Sequence, residues 1–272
     1  MNESVATAVD GRAASRHPLR GVALPSEHGG WGLTVEPGLL GLLVAPSLAG
    51  GCLALAAVVA FLARTPLKLA LVDRRRGREL PRTVLARRVA AAELLVLAGL
   101  VATAVATAPA PFGWPAVVAA PLVGIESWFD VRSKGRRLAP ELAGAIGVCS
   151  VTAMIVLADG ESSRLAAGLW AVLTARVVAS IPHVRDQIAR LHGRPVSSIA
   201  GLIADGTALV VAALAVALDD RLLAGAVAVL AVVVVQRLTA RGEIPPAVVL
   251  GMHQLALGFG VVLVTAAGVL IA

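Results

Sequence analysis

Charged side chains recur at helical spacing inside segments that are otherwise apolar. Glu126 and Asp130 stand four apart in "GIESWFDVRSKGRR", and Arg64 and Lys68 stand four apart in "ARTPLKLALVD". Residues at that spacing lie on one face of a helix. Two such carboxylates can share a cation, or pair with the two bases. Asp73 closes the run that holds Arg64 and Lys68. The stretch "SEHGGWGLTVEPG" adds Glu27, His28, Trp31 and Glu36, with Glu27 and Trp31 again four apart. Ser26 suits an N-cap there and Trp31 an interfacial anchor, but neither role accounts for Glu36, a turn deeper and beside Pro37. Arg176 sits in a later apolar run that leads into "IPHVRDQIARLHGRP", which carries His183 and Asp186. In that stretch Val184, Ile188 and Leu191 share one helical face, the pattern of a short amphipathic helix on a membrane surface.

The elements around these residues are those of a membrane protein. Of the 272 residues, 58% are apolar and 15% charged, and mean hydropathy is +0.85. Soluble domains hold about 25% charged residues, so a membrane protein is expected rather than a soluble all-α one. Apolar runs and Gly/Pro breaks divide the chain into nine segments: 33–49, 51–72, 89–108, 113–129, 141–158, 164–181, 198–218, 222–238 and 246–270. The expected fold is an all-α polytopic membrane protein of about nine transmembrane helices. Residues 1–25 read as a disordered cytoplasmic tail without the apolar core of a signal peptide, and 26–272 as one transmembrane helical domain. Cys52 and Cys149 each lie within an apolar run and read as packing residues.

With nine spans, 22 of the 24 basic residues fall on one side of the membrane; only Arg164 and Arg221 fall on the other. Basic residues stay on the cytoplasmic side of short loops. The expectation is a bacterial inner membrane protein with a cytoplasmic N-terminus and an external C-terminus. The +7 charge then marks a topology and a lipid-facing surface rather than a nucleic-acid partner.

Charges within spans cost several kcal/mol unless they face a cavity or a partner. Two readings follow. The charges neutralise one another in pairs, or they line a polar cavity open to the cytoplasm. In the second case the excess of bases favours an anionic ligand: phosphate, pyrophosphate or a carboxylated lipid. The arginine-rich stretch "VDRRRGRELPRTVLARR", read as a loop over 72–88, either sets topology or grips that anion. Arg64 and Lys68 are the expected ligands of the anion, and Arg87 and Arg88 the topology signals.

"SEHGGWGLTVEPGLLGLL" resembles the opening of the YwiC-like family of bacterial membrane proteins, with His28, Gly29, Trp31 and the following "EPGLLG" carrying the match. The layout, with charged cytoplasmic loops after the second and sixth spans, also resembles the UbiA superfamily of intramembrane prenyltransferases. That resemblance implies a UbiA-like helical bundle in which aspartates of those two loops hold magnesium and a prenyl pyrophosphate. Here the acid-rich patterns keep only Asp73 and Asp186, with arginines in place of acids. Magnesium needs carboxylates, phosphates and waters in near-octahedral order, so it is poorly supported. The activities to be weighed are a divergent UbiA-like transferase acting on an isoprenoid or lipid phosphate, a non-catalytic lipid/anion-binding or transport protein, and an accessory subunit of a membrane complex. The sequence assigns no catalytic residue and no oligomeric state.

Overall fold

The computed structural model describes residues 28–132, 137–240 and 242–272, with the backbone alone at His28 and Gly29. The apolar tail-to-tail segments expected from hydropathy fold, among the described residues, into nine α-helices and no strand. They are α1 His28–Val44, α2 Leu48–Arg75, α3 Pro81–Thr107, α4 Trp114–Val131 and α5 Leu138–Ala158, then α6 Ser163–Leu191, α7 Ser198–Leu218, α8 Leu223–Thr239 and α9 Ala247–Ile271. A 3-10 turn, Asp220–Leu222, leads into α8. Among the described residues, seven stretches are long and apolar enough to cross a membrane: α2, α3, α5, α6, α7, α9, and α8 with its 3-10 turn. The chain is an integral membrane protein. At 17 residues, α1 reaches only ~25 Å at about 1.5 Å per residue, and α4 is made less apolar by Glu126 and Asp130.

Helices α5 and α6 form the centre of the bundle. Ile155, Val156, Leu165, Leu169 and Val172 are fully buried. Small residues set the spacing around them. A Cβ on Gly41 of α1 or on Gly50 of α2 would come within 2.8 Å of the Ile155 side chain, so both helices approach α5 through glycine. On the outside, α3 packs mainly on α2 and exposes Leu95 and Val105.

Two local expectations change. The arginine-rich loop is much shorter than 72–88, because α2 continues to Arg75 and α3 already begins at Pro81. Proline suits a first helical position, where its missing N–H is not needed, and Leu85, Ala86, Arg87 and Arg88 are good helix formers. The stretch after Pro182 is not a separate surface helix but the last turns of α6. There Gln187 is buried while Ile188 and Leu191 are exposed, so the polar side faces the bundle.

Candidate functional site

Bonds between helix ends place the arginines together. Arg185 Nη1 donates to Glu141 Oε2 at 2.7 Å, joining α6 to the start of α5. Arg190 Nη1 donates to the Ala240 carbonyl at 3.2 Å, joining α6 to the end of α8. At the opposite end of α6, Arg164 Nε donates to the Leu218 carbonyl at 2.8 Å. The bundle therefore has an arginine-rich end, and Arg164 and Arg221 lie at the other.

Four of the sequence-predicted residues meet between α2 and α4. Arg64 Nε donates to Asp130 Oδ2 at 2.8 Å, and its Nη2 lies 2.8 Å from Glu126 Oε1. Lys68 Nζ donates to Asp130 Oδ1 at 3.2 Å. Glu126 fits against α5 because position 144 is glycine; a Cβ there would overlap its carboxylate. Of the two readings, neutralisation in pairs describes this group.

Asp73 has a structural task at the α2–α3 turn. It accepts from Thr83 Oγ1 at 2.6 Å and from Arg82 Nη2 at 3.4 Å. Its backbone carbonyl accepts from the amides of Arg76 and Arg78. Thr83 Oγ1 in turn accepts from the Leu80 amide at 3.3 Å. The turn closes at Gly77, whose φ of +63° is open to glycine.

Arg176 belongs to a third group, in the middle of the bundle. Its Nη2 donates to Glu36 Oε1 at 2.9 Å and to the Gln254 carbonyl at 2.8 Å. Gln236 Nε2 donates to Ser180 Oγ at 3.2 Å and to Gln254 Oε1 at 3.1 Å. Both charges are buried, with 4% and 2% of their side chains exposed. The cost of burying each is offset only by the other and by these hydrogen bonds. Gly258 of α9 makes room for the pair, because a Cβ there would overlap Glu36 and Arg176.

His183 and Asp186 lie half-buried near the arginine-rich end of α6. Beside them Arg237 of α8 pairs with Asp205 of α7. Trp31 is partly exposed and meets Phe61 edge-on, with ring centroids 5.2 Å apart. Glu27 and the His28 side chain lie outside the described residues. The sequence-predicted residues thus divide among several clusters, each with its own partners.

The open surface lies beside the first cluster. Arg75, Gly124, Ser127, Trp128, Val131 and Arg132 line a groove of about 410 Å³ between the ends of α2 and α4. A second hollow of about 250 Å³ adjoins it and adds Val72 and Arg76. The Arg132 guanidinium lies 3.6 Å over the Trp128 ring, a cation–π contact. Arg75 Nη1 reaches the Val131 carbonyl at 3.5 Å. Among the described residues Arg75, Arg76 and Arg132 close no ion pair with a carboxylate, and Arg76 acts on Asp73 at longer range. Sequence reasoning had counted Arg132 with the topology signals and had left Arg75 and Arg76, within the 72–88 stretch, either to set topology or to grip an anion. The four-residue spacing of Trp128 and Arg132 was the available clue.

Glu93 of α3 was also missed. Its Oε2 is buried and makes no hydrogen bond, although a carboxylate within an apolar span is a signal in itself.

The described residues do not fit a magnesium centre. No three of His, Cys, Asp and Glu come together among them in a way that could hold a metal ion. Asp73 is engaged by Thr83 and Arg82, and Asp130 by Arg64 and Lys68.

Compared with known proteins, the family model described as YwiC-like protein matches residues 24–156. The match bears out the resemblance read at His28, Gly29 and Trp31, and it runs from α1 into α5. No curated protein and no solved structure matches the chain.

Proposed function

We propose that this membrane protein binds an anionic lipid phosphate at its arginine-rich end, which faces the cytoplasm, and does so without breaking a bond. The observation that carries this reading is the groove of Arg75, Trp128 and Arg132. Within the span ends, Arg64 and Lys68 are neutralised by Glu126 and Asp130. Arg75 and Arg132 are left around an open, mostly apolar groove, and Arg76 around the more polar hollow that adjoins it. Guanidinium groups match phosphate oxygens in a two-pronged geometry, and tryptophan favours the headgroup level of a bilayer. A phosphate would sit among the guanidinium groups, with its alkyl or isoprenoid chain along Gly124 and Val131. Position 124 leaves open space beside its backbone.

The cytoplasmic placement rests on the distribution of basic residues. It is tested by reporter fusions after Ala272, which should be active only outside the cytoplasm. A transferase is the second reading. It is favoured by the positions of Asp73 and Asp186, near the C-terminal ends of α2 and α6, where the UbiA-like layout places its acidic loops. The purified chain, given a prenyl diphosphate, an aromatic acceptor and magnesium, separates the two readings. Retention of the lipid phosphate without pyrophosphate release is expected. Pyrophosphate release that depends on Asp73 and Asp186 would establish the transferase instead.

A further inference from the structure

One face of α6 changes character at Arg176. Toward the arginine-poor end it presents Leu165, Leu169 and Val172, all fully buried. Toward the arginine-rich end the same face carries Arg176, Ser180, His183 and Gln187, at the four- and three-residue steps of a helical stripe. Around this half, α1 adds Glu36, α8 adds Gln236 and α9 adds Gln254.

This polar seam is not internally satisfied. Arg176 Nε, Gln236 Oε1 and Gln187 Oε1 are buried and make no hydrogen bond within the protein. Their residues are only 3%, 2% and 4% exposed. A buried polar atom without a partner costs about 1–3 kcal/mol, and ordered water is the usual way the cost is avoided. The unpaired set holds a donor and two acceptors. The two full charges, Glu36 and Arg176, cancel each other. The seam therefore suits a neutral molecule that both donates and accepts, rather than an ion. His183 and Gln254 are half-buried, so the seam is less enclosed than the apolar half.

We propose that the seam is a water path that opens at the arginine-rich end and stops at the Glu36–Arg176 pair. It gives water access to the middle of the bundle from one side of the membrane only. Beyond the pair, Leu169 and Val172 offer water no partner. The proposal uses different residues from the lipid-phosphate groove, so either can fail alone.

Cysteine reactivity tests it. In full-length protein carrying Cys52→Ala and Cys149→Ala, single cysteines are placed by Ser180→Cys, Gln187→Cys, Val172→Cys and Leu169→Cys. Labelling by N-ethylmaleimide is followed in native membranes, and labelling after denaturation counts the thiols present. The thiolate is the reacting species and forms only where water stabilises it, so Ser180→Cys should react at least about tenfold faster than Val172→Cys. Pretreatment with a membrane-impermeant cationic methanethiosulfonate should block Gln187→Cys from the arginine-rich side only. If Ser180→Cys does not fold, Gln254→Cys replaces it, with the same expectation. Seam cysteines as inert as Val172→Cys in folded protein would overturn the proposal, and so would equal labelling of all four positions.

Discussion

Arg176 Nη2 donates to Glu36 Oε1 across 2.9 Å, joining α6 to α1 over 140 residues of sequence. The pair is the most enclosed of the ion pairs described, and it ties a short first helix into the centre of the bundle. Removing one partner leaves the other charge buried and uncompensated. Arg176→Ala or Glu36→Ala should therefore destabilise the protein by about 3–5 kcal/mol. Replacing both residues together, as Arg176→Met with Glu36→Leu, should cost less than either single change. Thermal unfolding in detergent, run as a double-mutant cycle, measures the coupling.

Glycine at 258 is needed because α9 passes directly against that pair. In Gly258→Ala the carboxylate and guanidinium must move apart or sideways, at a cost of about 1–3 kcal/mol. Gly51→Ala is the contrast, since nothing lies within 4 Å of a Cβ there. It should be neutral or slightly stabilising through helix propensity, by at most about 1 kcal/mol. The two midpoints, measured side by side, check this.

These two sites mark how far the sequence could be read. The helices were legible because each is a run of apolar residues ended by polar or Gly/Pro breaks, and lipid requires every such run to satisfy its own backbone. The start of α3 was not. Arg82, Arg87 and Arg88 look like loop residues when charge is read as a break, yet Pro81 starts a helix there. Glu36 stood out as unexplained, and so did Arg176. Their pairing was not visible, because nothing local records a contact between residues so far apart. Trp128 and Arg132 show their spacing in the sequence, but Arg75 reaches them only through the packing of α2 beside α4. The seam of α6 was hidden in part by Pro182, which suggested a break in what is one helix.

The α2–α3 turn depends on Thr83, whose hydroxyl donates to Asp73 at 2.6 Å. A hydrogen bond to a charged group contributes about 1.5–3 kcal/mol, and Thr83→Val removes this one while keeping the shape of the side chain. The turn should loosen and trypsin should cut faster at Arg76 and Arg78. Limited proteolysis of membranes, compared between wild type and Thr83→Val, reads this out. An unchanged cleavage rate would mean that Asp73 is held by its other contacts.

Arg64 and Lys68 are engaged by Asp130 and Glu126, so they should contribute mainly to the joining of α2 and α4. Lys68→Ala should leave affinity for a lipid phosphate within about twofold, whereas one lost charge-assisted contact weakens binding roughly ten- to a hundred-fold. Lipid titrations of Lys68→Ala at fixed ionic strength test the division. A tenfold loss would return Arg64 and Lys68 to the ligand site.

The central claim is that Arg75 and Arg132 hold an anionic lipid phosphate directly. Its most direct test is the binding of phosphatidic acid to the full chain in detergent, with phosphatidylcholine and inorganic phosphate as reference ligands, before and after chelation of divalent metals. The account predicts binding of phosphatidic acid in preference to both references, unchanged by the chelator. It also predicts a loss of about tenfold or more in Arg75→Ala and in Arg132→Ala, the equivalent of one charge-assisted contact each. Binding abolished by the chelator and indifferent to both substitutions would contradict it.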